Sequence, residues 1–249
     1  MPTILVSNDD GIAAPGLRAL VEALAGLATV YVVAPDRERS AAAQSLTLLE
    51  PVFYENVAER EWAVEGTPTD AVILALNKLL PERPDLVLSG INNGGNMGEN
   101  VYYSGTVAAA MEGCINGIPA CAISLVGKSK EPDFSGAAKF VRELARLALE
   151  EPLPKGVMLN VNVPNAWNGG VRLARQSAKV TRNVLKDGTD PEGRKFVWLS
   201  EQKQIDDVGP DTDYAAVFAG SVSLTPLELD RTHPDSIQQL AHWAKRLGK

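Results

Sequence analysis

The sequence predicts an α/β protein with a doubly wound, mostly parallel sheet and a β-hairpin extension in its C-terminal part. In the first half of the chain, short apolar runs alternate with segments of helical periodicity, an order typical of a parallel sheet covered by helices. After Pro164 the composition changes, and Gly, Asp and Lys replace the apolar runs. We therefore expect a core over residues 1–164 and an extension over residues 165–249.

The strands and helices of the first half follow from its apolar periodicity. In the segment Gly16–Leu27, the leucines and Val21 fall on one continuous face, as in an amphipathic helix. The short apolar runs around it predict buried strands. In chain order we expect strand Thr3–Ser7, helix Gly16–Leu27, strand Thr29–Ala34, helix Thr69–Leu79, strand Leu86–Ser89, helix Gly105–Asn116 and strand Ala120–Ser124.

The remaining segments are less regular. Three short extended pieces, Leu46–Leu49, Val52–Tyr54 and Trp62–Val64, predict a β excursion away from the main sheet. Within residues 165–211, isolated β-type pieces such as Phe196–Leu199 indicate a hairpin with a weak core of its own, which a second subunit often stabilises. The later regular elements are expected to be helix Asp133–Glu150, strand Val157–Val163, strand Ser221–Leu227 and helix Ser236–Leu247.

Composition and charge argue against several classes of protein. The 249 residues include 24 Lys and Arg against 31 Asp and Glu, a net charge of −7. Nucleic-acid polymers and anionic membranes are therefore disfavoured as partners, because both are bound through basic surfaces. No apolar run approaches the ~20 residues of a membrane span, and the first residues lack a signal-peptide pattern, so we expect a cytoplasmic protein.

Cysteine and histidine usage narrows the chemistry. Cys114 and Cys121 lie in small, apolar surroundings and are expected to be buried free thiols. His233 and His242 lie near the C-terminus, far along the chain from the first predicted strand. A zinc site built on histidine and a Ser-His-Asp triad are both disfavoured, since each needs imidazole at the reacting centre.

Two adjacent carboxylates directly follow the first predicted strand, in the segment Asn8-Asp9-Asp10-Gly11. Ligands of open α/β sheets bind outside the carboxyl ends of the strands, which is where this pair is expected. Adjacent carboxylates repel each other, and a cation between or above them relieves the repulsion. The segment therefore predicts a divalent metal site, with a solvated Asp-Gly turn as the alternative.

Four further polar clusters fall at or just after predicted strand ends, at the same edge of the sheet. Pro35–Ser40 offers hydroxyl and charged groups, or is a surface charge run. Gly66–Asp70 is either a helix cap or part of the site. The glycine-rich stretch Ser89–Gly98 exposes backbone N–H groups that can bind an anion. The segment Tyr103–Ala110 begins a small-residue helix, whose N-terminal N–H groups and hydroxyls can bind phosphate.

The donor atoms in these clusters favour a hard cation. Neither glycine-bearing loop has the P-loop lysine or a correctly placed G-x-G-x-x-G pattern, so Walker-type ATP hydrolysis and dinucleotide binding are disfavoured. A cation beside a phosphate site is sufficient for hydrolysis of a phosphate ester. Oxygen ligands, which Mg²⁺ or Mn²⁺ prefers, are available at Asp9, Asp10, Ser40 and Asn92, with no His or Cys nearby.

Seven motifs stand in order along nearly the whole chain: Asn8-Asp9-Asp10-Gly11, Ala34-Pro35-Asp36-Arg37, Gly66-Thr67-Pro68-Thr69-Asp70, Ser89-Gly90-Ile91-Asn92, Tyr103–Gly113, Asn160-Val161-Asn162-Val163-Pro164 and Thr212-Asp213-Tyr214-Ala215-Ala216. This series resembles the SurE family of stationary-phase survival proteins. The resemblance implies a Rossmann-like core and a metal-dependent 5′/3′-nucleotidase that removes phosphate from nucleoside monophosphates, in some members also from short polyphosphate. It further implies a C-terminal extension used in forming homodimers and homotetramers.

The resemblance also implies roles for single residues. One divalent metal ion per subunit would be held by Asp9, Asp10, Ser40 and Asn92. Phosphate would be bound by Asn96 and by the turn Ser104-Gly105-Thr106, with Asn8 beside the substrate.

The predicted mechanism is hydrolysis, in which a water associated with the cation attacks phosphorus in line. Asp9 and Asp10 are the expected catalytic residues, and Asp10 is the favoured acceptor of the water's proton. A covalent phospho-aspartate formed on Asp9 is the alternative chemistry. Two other functions remain open, namely a nucleotide-binding regulator without turnover and a metal-dependent glycosyltransferase on a similar scaffold.

Overall fold

The computed structural model describes residues 1–39, 42–127, 129–178, 181–203 and 209–248. Its strands are β1 (Thr3–Ser7), β2 (Thr29–Pro35), β3 (Tyr54–Ala58), β4 (Glu61–Val64), β5 (Leu86–Asn93), β6 (Ala120–Val126), β7 (Val157–Pro164), β8 (Val171–Leu173), β9 (Thr181–Thr189), β10 (Lys195–Lys203) and β11 (Val222–Glu228). Its α-helices are α1 (Pro15–Ala23), α2 (Pro68–Leu74), α3 (Gly105–Ile115), α4 (Ser135–Glu150), α5 (Asp213–Phe218) and α6 (Pro234–Leu247), with a π-helical turn at Ala75–Leu79 and a 3₁₀ turn at Gly98–Tyr102.

A sheet of nine described strands runs in the order β3-β4-β2-β1-β5-β6-β7-β11-β8. Its centre is parallel, because every pair of neighbouring strands within the run β4-β2-β1-β5-β6-β7 is parallel. At the two sides, β3 pairs antiparallel with β4, and β11 pairs antiparallel with β7. The carboxyl ends of the parallel strands therefore share one edge, as the alternation of strands and helices predicts.

Helices cover both faces of this sheet. Side chains alternate along β1, so Ile4 and Val6 join the core beneath α1 and α4, whereas Leu5 joins the core beneath α2 and α3. Central strands that are apolar on both faces are typical of parallel sheets with helices on each side. Since both faces are covered, a ligand reaches the sheet at its strand ends.

Most predicted elements are confirmed within a few residues, and the differences have local causes. Helix α1 ends at Ala23, and turns follow it as far as Leu27, with a φ of +74° at Gly26. The predicted strand at Leu46–Leu49 is wrong, because this segment has no regular structure and its leucines are exposed. The predicted β excursion is also wrong. β3 and β4 extend the main sheet, where Trp62 stacks on Tyr31 of β2 with ring centroids 6.3 Å apart.

The C-terminal part of the chain contributes to two sheets. β8 and β11 complete one side of the nine-stranded sheet, whereas β9 and β10 form a separate antiparallel hairpin, which confirms the hairpin prediction. α6 has no buried residues. Cys114 and Cys121 are buried and free, as predicted. None of the described helices is long and apolar enough to cross a membrane.

Candidate functional site

The turn after β1 carries the acidic pair, and Asn8 shapes this turn. Asn8 Nδ2 donates to the Gly11 carbonyl (2.9 Å), and Asn8 Oδ1 accepts the Gly11 N–H (3.2 Å). Gly11 has a φ of +100°, and a Cβ there would lie 3.0 Å from the carbonyl carbon of Arg37. Asn8, which is expected beside the substrate, thus has both ends of its amide engaged within the turn.

Asp9 lies beneath the first turn of α3 and is only 7% exposed. Its Oδ1 accepts a 2.5 Å hydrogen bond from Thr106 Oγ1. Burial raises the pKa of Asp9 to about 6, hydrogen bonds from Thr106 oppose this rise, and the neighbouring charge of Asp10 adds to it. Among the described residues, no Lys, Arg or His forms an ion pair with Asp9. The ionised form of Asp9 is therefore costly to bury unless a bound cation accompanies it.

Gly105 allows α3 to approach Asp9 closely. A Cβ at residue 105 would lie 2.7 Å from Asp9 Cβ and 3.0 Å from Asp9 Oδ2, which is closer than such atoms pack. Ser104 is the N-cap of the helix, and its Oγ accepts the Val107 N–H at 3.1 Å. The first turn of α3 is therefore directed at the acidic pair, and its dipole favours negative charge there.

The glycine-rich stretch after β5 is anchored to neighbouring strands through Asn96. The backbone N–H of Asn96 donates to Asn162 Oδ1 (2.8 Å), and its carbonyl accepts from Asn160 Nδ2 (2.7 Å) and Asn162 Nδ2 (3.2 Å). The Asn96 side chain donates from Nδ2 to Ser124 Oγ (2.9 Å). These partners belong to β6 and β7, so the loop is held at the carboxyl edge of the sheet.

Asn92 lies near the carboxyl end of β5, where the register between β5 and β6 shifts. Its Nδ2 donates to the Gly94 carbonyl at 2.6 Å, so the side-chain oxygen is the end that can bind a cation. Gly90 has a φ of +136°, and a Cβ there would meet the Ile123 carbonyl oxygen at 2.3 Å. Glycine at this position therefore allows β5 and β6 to remain adjacent beside Asn92.

Ser40, the fourth predicted metal ligand, lies outside the described residues. Arg39, which precedes it, donates its backbone N–H to the Asp9 carbonyl at 2.8 Å. The Arg39 guanidinium pairs with Asp36 at 3.3 Å. The chain directly before Ser40 is thus fixed beside the acidic pair.

The segment Gly66–Asp70 is a helix cap, one of its two predicted roles. Thr67 and Asp70 form a capping box at the start of α2. Asp70 also accepts the N–H and the hydroxyl of Thr47, at 3.0 and 2.7 Å, and Thr67 Oγ1 donates to the Ser45 carbonyl at 2.8 Å. Burial would raise the pKa of Asp70, but the hydrogen bonds from Thr47 and Thr67 outweigh it and lower that pKa below its usual value. The cap therefore also holds the loop between β2 and β3.

Part of the predicted set is brought together at one edge of the sheet. Asp9, Asp10 and the first turn of α3 are neighbours, and Asn92 lies at the end of β5, the strand paired with β1. In the part of the chain that the structure describes, no group of three or more His, Cys, Asp or Glu side chains could hold a metal ion. A metal at the acidic pair therefore needs neutral oxygen ligands to complete its coordination.

Several residues that hold the glycine-rich loop have no role predicted from the sequence. Asn160 and Asn162 stand at alternate positions of a buried apolar strand, which is the signal that could have identified them as a polar row facing the site. Asp213 accepts the Gly98 N–H, and Gln176 donates to the Gly98 carbonyl. No periodic pattern marks these two residues, because their contacts join distant parts of the chain.

Comparison with known proteins identifies the family. The sequence model of the family described as "Survival protein SurE" matches residues 4–184. The chain belongs to the SurE family. The similar SurE proteins include one named 5′-nucleotidase SurE from Vibrio cholerae, 46% identical over 246 residues that cover 97% of each chain. Another of that name, from Nitrosococcus oceani, is 46% identical over 251 residues that cover 98% of each chain.

A solved SurE structure confirms the predicted fold. The crystal structure of the SurE protein from Aquifex aeolicus matches with a TM-score of 0.88 and 40% sequence identity, covering 97% of this chain and 99% of that one. The Rossmann-like α/β architecture expected from the resemblance is therefore confirmed, together with the resemblance to SurE itself.

Proposed function

We propose that this SurE chain is a metal-dependent nucleotidase, which hydrolyses nucleoside 5′- and 3′-monophosphates to a nucleoside and phosphate, with short-chain polyphosphate as a further substrate. One observation carries the proposal. Asp9 is a buried carboxylate beside Asp10 and beneath the first turn of α3, and Asp9 has no basic ion-pair partner in the described chain. The names of the similar proteins support nucleotidase activity.

The residues present fit one divalent cation per subunit, Mg²⁺ or Mn²⁺. Asp9 and Asp10 offer carboxylate oxygens, and Asn92 offers its side-chain oxygen, a donor set that hard cations prefer. Ser40 is proposed as the remaining protein ligand, because the chain before it is fixed at Asp9. A cation at this position would offset both effects that raise the pKa of Asp9, burial and the charge of Asp10.

The chain's own residues orient the phosphate and move the proton. When bound, the cation would act as a Lewis acid on a phosphoryl oxygen. Thr106 donates its hydroxyl to Asp9, whereas Ser104 Oγ only accepts the Val107 N–H and keeps its own O–H to donate. We therefore assign phosphate binding at this turn to the Ser104 hydroxyl and to backbone N–H groups, with that of Gly105 first among them.

Asn96 and Asp10 complete the proposed mechanism. One N–H of the Asn96 side-chain amide donates to Ser124, which leaves its second N–H for a phosphoryl oxygen. Asp10 accepts the proton of the attacking water. Thr106 keeps Asp9 in place through its hydroxyl.

The test of this proposal is phosphate release from the purified protein. The substrates are a panel of nucleoside 5′- and 3′-monophosphates and tripolyphosphate, each assayed with Mn²⁺, with Mg²⁺ and with excess chelator. We expect release that needs the metal and that chelator abolishes. Nucleotide binding without phosphate release, from a protein shown to be folded, would instead support a regulator and would overturn the proposal.

The close approach of Gly105 to Asp9 gives a sharper prediction. We expect Gly105→Ala to reduce phosphate release at least ~100-fold, because the added Cβ must move Asp9 or α3, and displacements of about 1 Å have effects of that order. The overpacking should also cost about 1–3 kcal/mol of unfolding free energy. Steady-state kinetics and thermal unfolding measure the two effects.

Gly136→Ala is the matched control for that variant. Gly136 lies in the first turn of α4, and a Cβ there has no atom within 4 Å. We expect unchanged kinetics and equal or slightly greater stability, by about 0.4–1 kcal/mol. A Gly105→Ala protein as active as this control would show that α3 does not need its close contact with Asp9.

We also propose that the protein is a homo-oligomer, at least a homodimer, assembled through α6 and the β9–β10 hairpin. The hairpin forms its own sheet and exposes Leu185, Trp198 and Leu199. Isolated hairpins and single helices are marginally stable in water, so both elements gain by packing against a second copy. A homotetramer would follow if the helix and the hairpin bind different neighbours.

A further inference from the structure

We propose that Asp213, at the start of α5, is a positioning residue for the hydrolytic site. Its side chain fixes the glycine-rich loop that carries Asn96, although it lies in the C-terminal part of the chain. The inference rests on the proposed function, since it assigns a task in that same reaction. It concerns a residue that lies outside the proposed metal and phosphate sets.

The Asp213 carboxylate joins three separate pieces of backbone. It is fully buried, with 0% of its surface exposed. Its Oδ2 accepts the Gly98 N–H at 2.9 Å, and its Oδ1 accepts the N–H groups of Ser177 (3.1 Å) and Tyr214 (2.8 Å). Charge-assisted hydrogen bonds of this kind are among the stronger ones in proteins. Through these hydrogen bonds, the Asp213 carboxylate links the glycine-rich loop, the start of α5 and the segment before the hairpin.

Gly98 forms hydrogen bonds through both polar groups of its backbone. Its carbonyl accepts a 2.7 Å hydrogen bond from Gln176 Nε2, in addition to the bond from its N–H to Asp213. Its φ is +55°, and a Cβ there would lie 3.1 Å from Tyr214 Cε2 and 3.2 Å from the Ala178 carbonyl oxygen. Both polar groups of its backbone are therefore set by residues from the C-terminal part of the chain.

The hydrogen bond between Gly98 and Asp213 affects the proposed site through the residues on either side of Gly98. Two residues earlier, Asn96 is fixed by Asn160, Asn162 and Ser124. On the other side, the 3₁₀ turn that begins at Gly98 leads to α3. Glycine-rich backbone is conformationally free unless it is held from outside. Asp213 therefore fixes the far end of the loop between Asn96 and the first turn of α3.

An aspartate suits this position, whereas an asparagine does not. The three N–H donors approach both oxygens of the Asp213 side chain. In Asp213→Asn an NH₂ group replaces one of those oxygens. Because this group is a hydrogen-bond donor, it cannot accept the backbone N–H that it would face. The variant must lose either the bond to Gly98 or the bonds to Ser177 and Tyr214.

The experiment compares Asp213→Asn with Asp211→Asn in the full chain. Asp211 is exposed and pairs with Arg175 at 2.7 Å, so its change removes a nearby carboxylate that does not touch the loop. We expect Asp213→Asn to raise the KM for a nucleoside monophosphate, and the inhibition constant of inorganic phosphate, about tenfold or more. The metal-induced rise in Tm should persist, and Asp211→Asn should change each constant by less than about twofold.

A merely structural role would give a different result. In that case Asp213→Asn lowers Tm but leaves KM and phosphate inhibition unchanged at temperatures where it is folded, and the inference fails. If Asp213→Asn does not fold, Gln176→Ala tests the inference instead, because it removes only the donor to the Gly98 carbonyl. A KM equal to that of the wild type in Gln176→Ala would then overturn the inference. An inactive wild-type protein would instead overturn the proposed function.

Discussion

Asp9→Asn is expected to reduce phosphate release by about 10³-fold or more while the protein keeps its fold. Loss of this ligand to the proposed cation would weaken its stabilisation of transition-state charge by several kcal/mol, and ~4 kcal/mol corresponds to that rate factor. The fold should persist because the amide has nearly the shape of the carboxylate and can still accept the Thr106 hydroxyl. Phosphate release and the far-ultraviolet circular dichroism spectrum are the measurements.

Thermal unfolding provides a second readout that does not depend on turnover. Without metal, Asp9→Asn should be at least as stable as the wild type, because it removes a buried charge and its repulsion from Asp10. Added Mn²⁺ should raise the Tm of the wild type, since a ligand at 100 times its Kd adds about 2.7 kcal/mol, and should leave the variant unchanged. Asp85→Asn is the control, because Asp85 lies at the opposite edge of the sheet, where it accepts the Thr3 N–H. An Asp9→Asn protein that kept its activity would refute the proposed metal site.

The fold could be predicted from the sequence because its signals are local and repeated. The apolar face of α1 reflects the helical period, and β1 is a short, continuous apolar run of the kind that forms a buried strand. The leucines of Leu46–Leu49 mislead because apolar residues alone do not specify a strand. Thr47 of that segment donates two hydrogen bonds to Asp70, which lies 23 positions later in the chain. No short sequence pattern contains such contacts.

The candidate site was predictable to the extent that it depends on strand ends. Parallel strands bring their carboxyl ends to one edge, so Asp9 and the helix capped by Ser104 could be expected together, and the hydrogen bond from Thr106 to Asp9 joins them. The close packing of Gly105 on Asp9 could not be expected, since it depends on the distance between α3 and β1. The resemblance assigns Gly105 to the phosphate-binding turn and implies no contact between Gly105 and Asp9.

The residues that anchor the glycine-rich loop could not be predicted from the sequence, because their contacts are also long-range. Asn162 is separated from Asn96 by 66 positions, and Asp213 from Gly98 by 115. Hydrogen bonds across such separations depend on how β7 and α5 are placed by the whole sheet. The sequence could identify these segments only as motifs of the SurE resemblance, without a task for either side chain.

Placing charges on the apolar face of α6 is expected to convert the protein from a dimer, or a larger assembly, to a monomer. Ile237 and Trp243 of this helix are 62% and 57% exposed, and α6 buries none of its residues in a single chain. A helix of 14 residues gains little stability in water from propensity alone, so we expect its apolar face to pack against a partner surface. In the double variant Ile237→Asp and Trp243→Asp, each carboxylate would have to be buried in that interface, which costs far more than the apolar contacts contribute.

Light scattering coupled to size-exclusion chromatography measures the result directly. The wild type should elute at twice the 26.6 kDa of one chain or at a higher multiple, and the double variant at the mass of one chain. Leu147→Asp is the control, because Leu147 is an exposed apolar residue on α4, a helix that is not part of the proposed interface, and its change should leave the mass unaltered. A wild type with the mass of one chain, or a double variant that keeps the mass of the wild type, would show that α6 does not join subunits. The hairpin alone, with Trp198 and Leu199 exposed, would then be the remaining surface on which an assembly could be built.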